Sequence, residues 1–214
     1  MHITWYGQTC FKILFQRNKD ESASILIDPF EKETGLRPPK IEADILLFSC
    51  GDKKSAPAGS FLINGPGEYD IKGVFIQGIE ALTKIPAKKE GISEKITLYT
   101  IEAEEIKICH LGVFGQPELT SQQLSAIGDV DILIVPIGGR ETIEAKEAIK
   151  IMSQIEPKII IPMYYKIPGL KVELSGLDKF LKPLGIKTME PLPKLLIKKK
   201  DLSEEEAKII VLKP

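Results

Sequence analysis

Three residues of this chain, Cys50, Asp52 and His110, belong to types that bind zinc. Thiolate, carboxylate and imidazole are all zinc ligands, and a catalytic site commonly uses three protein ligands and leaves one position for water. Zinc lowers the pKa of that water and so produces a nucleophile at neutral pH. The three residues allow a rebuilt mononuclear centre, although their spacing in the sequence does not establish that they converge.

Cys50 also allows a metal-free mechanism, with the thiol as nucleophile and His110 as its base. The alternative is a buried cysteine at the end of a strand, which is a common structural position. The sequence indicates neither a lowered thiol pKa nor a third residue that would orient the histidine. We favour the structural interpretation and keep the nucleophile as the alternative.

The histidine count limits any metal chemistry. The chain contains two histidines, His2 and His110. Any mechanism built on a centre of several imidazoles must therefore manage with this pair.

Composition indicates one globular domain over residues 1–214. Hydrophobic residues make up 43% of the 214 positions and charged residues 28%, which is typical of a folded protein with a sizeable core. With 29 basic and 30 acidic residues, the net charge is −1. This balance predicts neither nucleic acid nor an anionic membrane as a partner.

The sequence indicates a cytoplasmic protein. The start, MHITWYG, lacks the basic and apolar regions of a signal peptide, and no apolar run approaches the ~20 residues that span a bilayer. Three cysteines are too few, and odd in number, for a disulfide framework. We expect reduced thiols.

Short apolar runs with Gly, Pro and Asp between them predict strands through the first two-thirds of the chain. They occupy 2–7, 10–16, 24–30, 43–49, 60–65, 73–79, 95–102 and 105–111. Polar turns are predicted at 17–20 and 103–105, and a solvated loop at 83–94. The string at 65–69, Gly-Pro-Gly-Glu-Tyr, predicts a tight turn.

Strands and helices alternate in the last third. A strand at 129–137 precedes a helix at 142–157, with Thr142 as its N-cap and Pro157 as its stop signal. A strand at 158–165, a short helix near 174–185 and apolar runs at 195–199 and 208–212 follow, and Ser203 with Glu206 has capping-box spacing. Many strands followed by this alternation predict an α/β domain in which helices cover sheets.

Several strings, in order, resemble the metallo-β-lactamase superfamily, and most closely its branch related to L-ascorbate-6-phosphate lactonase. They are WYGQTCF (5–11), LIDPF (26–30), ADILLFSCGDKKSA (43–56), GPGEYDIKGV (65–74), CHLGVFGQ (109–116), DILIVPIGG (131–139) and IIPMYYK (160–166). The resemblance implies a four-layer αββα sandwich of two mixed sheets, with a metal pocket at one edge. Active relatives carry His-x-His-x-Asp-His after the strand that matches 43–49.

This chain departs from the family pattern at the implied ligands. Cys50 and Asp52 occupy the first two histidine positions of that motif, Lys54 and Ser55 its Asp-His pair, Gln8 and Tyr164 two further histidine positions, and Val113 that of the bridging aspartate. The family also supplies a histidine from within 51–109, where this chain has none. His110 matches a position beside the pocket that is not the usual ligand. The resemblance therefore implies that an ancestral zinc or other divalent metal has been lost.

Lys54 is a further argument against a metal, because an ammonium close to a dication is repelled. Its long side chain is able to turn away to solvent, which weakens that argument.

Two residues of the implied pocket match retained family positions. The resemblance implies that the aspartate at the position of Asp28 helps to hold the metal loop in relatives. In this chain we favour the alternative, in which Asp28 accepts hydrogen bonds from turn amides ahead of Pro29. Glu68 faces the pocket in one interpretation and belongs only to the tight turn in the other. Gly138-Gly139-Arg140 allows an anion to bind before a helix, although an ordinary turn explains it better.

We expect a protein of this fold with a degenerate active site, acting as a non-catalytic binding or scaffold protein. The remnant pocket then holds Gln8, Asp28, Cys50, Asp52, Lys54, Ser55, Glu68, His110, Val113 and Tyr164. Lys54 suggests a small anionic ligand, and a protein partner on an outer face is the other binding hypothesis. The enzyme alternative is a phosphoester, lactone or thioester hydrolase that uses Cys50, Asp52 and His110.

Overall fold

The structure is a computed structural model that describes residues 1–17, 21–51, 56–85, 95–202 and 207–214. The strands are β1 (His2–Gly7), β2 (Cys10–Gln16), β3 (Ser22–Ile27), β4 (Ile45–Leu47), β5 (Phe61–Ile63), β6 (Gly67–Ile71), β7 (Val74–Leu82), β8 (Lys95–Ala103), β9 (Ile106–His110), β10 (Ile132–Pro136), β11 (Ile159–Met163), β12 (Leu195–Leu196) and β13 (Lys208–Ile209). The α-helices are α1 (Ser121–Ile127), α2 (Ala145–Ile155) and α3 (Asp178–Leu181).

The strands form two mixed sheets, as the sequence predicts. The six-stranded sheet has the order β12-β1-β2-β3-β4-β5, with antiparallel pairs up to β3 and parallel pairs from β3 to β5. The seven-stranded sheet has the order β13-β11-β10-β9-β8-β7-β6, parallel from β13 to β9 and antiparallel from β9 to β6. This arrangement agrees with the two mixed sheets of the sandwich that the resemblance implies.

The core lies between the sheets and follows from the strand patterns. Along β1, exposed His2 alternates with buried Ile3 and Trp5, as in a strand with one buried face. Strands β10 and β11 are buried throughout, because parallel strands inside such a fold are covered on both faces. Trp5 packs against Tyr165 with ring centroids 5.0 Å apart, which ties β1 to the end of β11.

Helix α2 begins later than predicted. Thr142 is fully buried, and its hydroxyl donates to the carbonyl of Gly139 instead of capping the helix. The N-cap is Glu144, whose backbone amide donates to the Glu147 carboxylate at 2.8 Å. The helix ends at Ile155, two residues before Pro157, so the predicted stop is confirmed.

Helix α1 was not predicted, although the sequence carries a signal for it. Thr120 and Gln123 form a capping box: the Gln123 amide donates to the Thr120 hydroxyl at 3.2 Å, and the Thr120 amide donates to the Gln123 side chain at 3.0 Å. In the string at 65–69, where a tight turn is predicted, the chain bends at 65–66 and β6 begins at Gly67.

Helices cover the seven-stranded sheet, where α1 packs on β7 and α2 packs on β10. On the outer face of the six-stranded sheet, Leu26 and Phe48 instead pack under residues that include Phe30 and Ala43. In the described part of the connections between β3, β4 and β5, the one helical element is the 3-10 turn Lys32–Thr34. In the residues described on that face, loops and this 3-10 turn therefore take the place of the outer helical layer that the resemblance implies.

Other predictions concern turns and spans. The turn at 103–105 is confirmed, with Glu104 and Glu105 in the left-handed region that a two-residue hairpin uses. Residues 18–20 of one predicted turn, 86–94 of the predicted loop, and Ser203 with Glu206 lie outside the described residues. Within the described chain, no helix is long and apolar enough to cross a membrane.

Candidate functional site

The candidate site lies where strands of both sheets end. Strands β1, β3 and β4 share one direction, as do β9, β10 and β11, and the carboxyl ends of such strands meet at one edge of a sheet. The positions that follow or close these strands are Gln8, Asp28, Cys50, His110, Val113 and Tyr164. The sequence-predicted residues thus come from neighbouring strand ends.

Backbone contacts bring the two sheets together at this edge. The amide of Tyr164 donates to the carbonyl of Gln8 at 3.3 Å, and the amide of Thr97 donates to the carbonyl of Ser49 at 2.8 Å. A Cβ on Gly112 would lie 2.5 Å from the Ser49 side chain. Glycine is required at position 112 by this close approach and by its φ of 59°.

Asp28 holds the start of the loop that carries Cys50. Its carboxylate accepts hydrogen bonds from the Ser49 amide at 2.7 Å and the Ser49 hydroxyl at 2.6 Å. The amide that Asp28 binds therefore lies two residues after β4 ends at Leu47. Our favoured interpretation, which expected an amide of the turn ahead of Pro29, is wrong on this point. Sequence reasoning did not single out Ser49, although it directly precedes Cys50.

His110 is completely buried, and backbone groups engage both of its ring nitrogens. The Gly112 amide donates to Nδ1 at 3.2 Å, so the proton resides on Nε2, which donates to the Thr9 carbonyl at 2.9 Å. Burial lowers the pKa of His110, against an opposing effect of the Asp28 charge. In this arrangement His110 is a neutral structural group, and neither nitrogen is available to a metal or a thiol.

Gln8 occupies an unfavourable position for a polar side chain. Its Oε1 is buried without a hydrogen-bond partner in the described part of the chain. Its φ of 51° lies in the left-handed region, which few residues other than glycine, asparagine and aspartate adopt. Burying an acceptor that makes no hydrogen bond costs about 1–3 kcal/mol.

Tyr164 is a neutral phenol bonded to a carboxylate. Its hydroxyl donates to Glu141 at 2.7 Å, and burial together with this carboxylate raises its pKa well above the usual range. Its φ is 54°. Glu141 was missed by sequence reasoning, because no motif connects two residues that meet only through folding.

Gly138 serves packing at the same place. A Cβ there would lie 2.1 Å from the Tyr164 carbonyl oxygen, so no larger residue fits. Because α2 starts at Ala145, the pair Gly138-Gly139 does not lead directly into a helix N-terminus. The ordinary turn is the interpretation that agrees with this geometry.

For the remaining predicted residues, the structure gives their burial and the lining of a cavity. Cys50 is half-buried and lines a cavity of about 200 Å³ with Asn64 and Thr97. Val113 is half-buried, and Glu68 is exposed on β6 and is not one of the described residues that line this cavity.

Asp52, Lys54 and Ser55 lie outside the described residues, so the structure does not test the predicted triad of Cys50, Asp52 and His110. Among the residues described, no three His, Cys, Asp or Glu side chains are placed to hold a metal. The three cysteines, all of them described, form no disulfide.

Comparisons with known proteins agree with this architecture. The family model described as "Beta-lactamase superfamily domain" matches residues 2–164. A UPF0173 metal-dependent hydrolase from Carboxydothermus hydrogenoformans is 38% identical, over 89% of this chain and 97% of the relative. A UPF0173 protein from Pyrococcus abyssi is 29% identical, over 79% and 85%.

A solved structure from Thermotoga maritima, described as a Zn-dependent hydrolase of the metallo-β-lactamase superfamily, is 33% identical with a TM-score of 0.75. The alignment covers 99% of this chain and 97% of that one. The chain therefore belongs to the metallo-β-lactamase superfamily and, within it, to the UPF0173 family.

Proposed function

We propose that this chain is a metallo-β-lactamase-fold protein that has lost the metal-dependent chemistry and works as a binding or scaffold protein. The observation that carries the proposal is that neither histidine side chain is free to bind a metal at the candidate site. Both nitrogens of buried His110 are bonded to backbone groups. His2, at the far end of β1, is about 20 Å from Gln8 by the rise of an extended strand.

The donor set at the other ligand positions also fits a metal poorly. Gln8 offers an amide, Val113 no donor at all, and Tyr164 a neutral phenol that already donates to Glu141. Zinc prefers thiolate, imidazole and carboxylate ligands. Of the described residues at these positions, Cys50 alone is a good zinc ligand, and one thiolate does not make a site.

The second candidate is a metal-dependent hydrolase, which is the name that several relatives bear. This candidate requires a centre that uses Asp52 with Cys50, and a His110 freed from Thr9 and Gly112. Breaking two buried hydrogen bonds opposes that rearrangement. We therefore rank this candidate below the binding protein.

Thermal unfolding with and without metal separates the two candidates. A ligand at 100 times its Kd stabilises the folded state by about 2.7 kcal/mol, which raises the Tm of a chain of this size by several degrees. We expect Zn²⁺, Mn²⁺ and Fe²⁺ to leave the Tm within about 1 °C of that in chelator.

A rise of several degrees that the Cys50→Ala variant abolishes would show a metal site at Cys50, contradict the proposal and favour the hydrolase candidate. His2→Gln is the matched control, since it removes an exposed imidazole on β1 and should not alter the result. Tag-free protein is required, because a histidine tag binds the same metals.

The ligand of the binding protein remains a prediction. Lys54 suggests a small anion held in the former pocket, and a metabolite that copurifies with the protein should be lost from Lys54→Ala. Unchanged retention would exclude Lys54 as the anchor and favour a protein partner on an outer face.

The relationship to the L-ascorbate-6-phosphate lactonase branch is also a proposal, supported by the strings at 5–11 and 160–166. A phylogenetic tree of the superfamily that placed the chain outside that branch would contradict it.

A further inference from the structure

A second cleft lies on the outer side of β1 and shares no lining residue with the cavity beside Cys50. It has a volume of about 580 Å³, within the range of small-molecule sites. Its cationic lining residues are Lys12, Arg37 and Lys40. Its remaining lining residues include Tyr6, Glu42 and several prolines.

The three cations of this cleft are not neutralised. Elsewhere in the described chain, lysines such as Lys72, Lys158 and Lys199 pair with Asp44 or Asp131. None of the cleft cations forms an ion pair with a described carboxylate. The Lys12 ammonium donates to the backbone carbonyl of Glu42 at 2.9 Å, which fixes it and leaves two N–H donors.

The wall of the cleft is held in place by the neighbouring backbone. The Lys171 amide donates to the Thr34 carbonyl at 3.0 Å. A Cβ on Gly35 would lie 2.3 Å from the Gly169 carbonyl oxygen. Such packing orders the loop before Arg37 in advance, which lowers the entropy cost of binding.

The apolar part of the cleft is rigid as well. Pro38, Pro39 and Pro168 line it, and Pro39 is buried. Proline restricts its own backbone, so these walls lose little freedom when a ligand binds. Tyr6 adds an aromatic ring that is half-buried on the outer face of β1.

We propose that this cleft binds a small organic anion, with the anionic group among Lys12, Arg37 and Lys40 and an aromatic or aliphatic body against Tyr6 and the prolines. The lining holds three cationic side chains against two carboxylates, those of Glu42 and of Pro214, the last residue of the sequence. This net positive charge favours an anion, and a dianion more than a monoanion. Guanidinium and ammonium groups form strong, charge-assisted hydrogen bonds with such an anion. The inference does not depend on whether the former metal site is active.

Calorimetric titration of the full chain tests the proposal, with phenyl phosphate as the dianionic probe, benzoate as the monoanion and benzyl alcohol as the neutral analogue. We expect saturable one-to-one binding of phenyl phosphate, weaker binding of benzoate and none of benzyl alcohol. Arg37→Gln should weaken phenyl phosphate binding about tenfold, as expected for loss of a charged hydrogen bond. Lys12→Met should act similarly, and backbone amide NMR shifts should concentrate at Gly35, Arg37 and Lys40.

The matched control is the double variant Lys187→Gln with Lys194→Gln, which removes two exposed cations outside the cleft. Equal weakening in this control would mean that net charge alone attracts the anion, and the proposal would be wrong. No saturation by about 10 mM, a weaker limit than specific sites show, would also overturn it. Loss of binding in Lys54→Ala with normal binding in Arg37→Gln would move the ligand to the former metal pocket and refute the cleft.

Discussion

The two ends of the sandwich differ in where left-handed backbone conformations occur and in whether buried polar groups have hydrogen-bond partners. At the end away from the candidate site, left-handed Glu104 and Glu105 form the two-residue hairpin between β8 and β9, a turn that needs such conformations. At the site end, Asp28 and Tyr164 are left-handed directly after strands β3 and β11, with no hairpin to require it.

Polar groups show the same contrast. Away from the site, Asp131 accepts from the Lys107 amide at 3.0 Å and pairs with Lys158 and Lys199. At the site, Gln8 buries an oxygen that no described group satisfies. Left-handed conformations of residues such as Tyr164 cost about 1–3 kcal/mol, and strained backbone of this kind clusters at functional sites.

This comparison indicates that the site end has the strained backbone and the unsatisfied polar group that are typical of a functional pocket. The hydrogen bonds of Asp28 and His110 hold that backbone. The stability of the site end should therefore depend on a few polar side chains. The following variants test this from the largest expected effect to the smallest, with Asp131 as the comparison from the opposite end.

Asp28→Ala should have the largest effect, a loss of about 3 kcal/mol in the free energy of unfolding, because two charged hydrogen bonds to Ser49 disappear. Urea denaturation measures it. Ser49→Ala removes only the hydroxyl and should cost about 1 kcal/mol. Equal effects of the two variants would show that Asp28 does not hold the Ser49 amide.

His110→Gln should cost about 2 kcal/mol and should also change the pH dependence. Burial lowers the pKa of folded His110, so the unfolded chain takes up the proton first. Stability present above about pH 6.5 is then lost as the pH falls, by at most about 1.4 kcal/mol per pH unit. Denaturation curves between pH 7.5 and 5 measure this slope.

The slope should disappear in His110→Gln and remain in His2→Gln, whose imidazole is exposed. A slope that instead disappears with His2 would contradict the structural role assigned to His110.

Asp131→Asn should cost about 1.5 kcal/mol at neutral pH. Burial by itself would raise the pKa of Asp131, but hydrogen bonds from the Lys107 amide, Lys199 and Lys158 hold it below the usual value. This stabilisation is present above the ordinary carboxylate pKa of about 3.9 and is lost as the pH falls through the lower, folded value. Wild type and variant should therefore converge in acid, and a difference that persists at pH 2 would contradict the ion-pair account.

Tyr164→Phe should have the smallest effect, about 1 kcal/mol, because it removes one hydrogen bond to Glu141 and leaves the ring in place. Glu141→Gln is the matched variant, since a neutral amide still accepts from the phenol. Thermal unfolding measures the stability of both variants. A larger loss of stability in Glu141→Gln than in Tyr164→Phe would mean that Glu141 has another essential partner.

Most of the fold could be predicted from the sequence, because short apolar runs specify strands. The run at 2–7 alternates and has one buried face, whereas the run at 95–102 is buried continuously over 96–101. Helix α1 was missed because its seven residues are too few to display a clear period. Its signal was the Thr120–Gln123 capping box. The start of α2 was misplaced because the burial of Thr142 is decided by tertiary packing.

The site could be predicted only in part. The order of the family strings brought Gln8, Asp28, Cys50 and Tyr164 to one edge, as the strand ends require. The partners that define their chemistry, such as the Thr9 carbonyl for His110 and Glu141 for Tyr164, are distant in sequence. No local pattern encodes such pairs.

Metal content tests the central claim most directly. Tag-free protein is offered Zn²⁺, Mn²⁺ or Fe²⁺, dialysed, and measured by elemental analysis. The account predicts less than about a tenth of an equivalent, given the tight binding expected of a real site. Close to one equivalent, lost on Cys50→Ala or Asp52→Ala, would contradict it and identify a hydrolase with a rebuilt mononuclear centre.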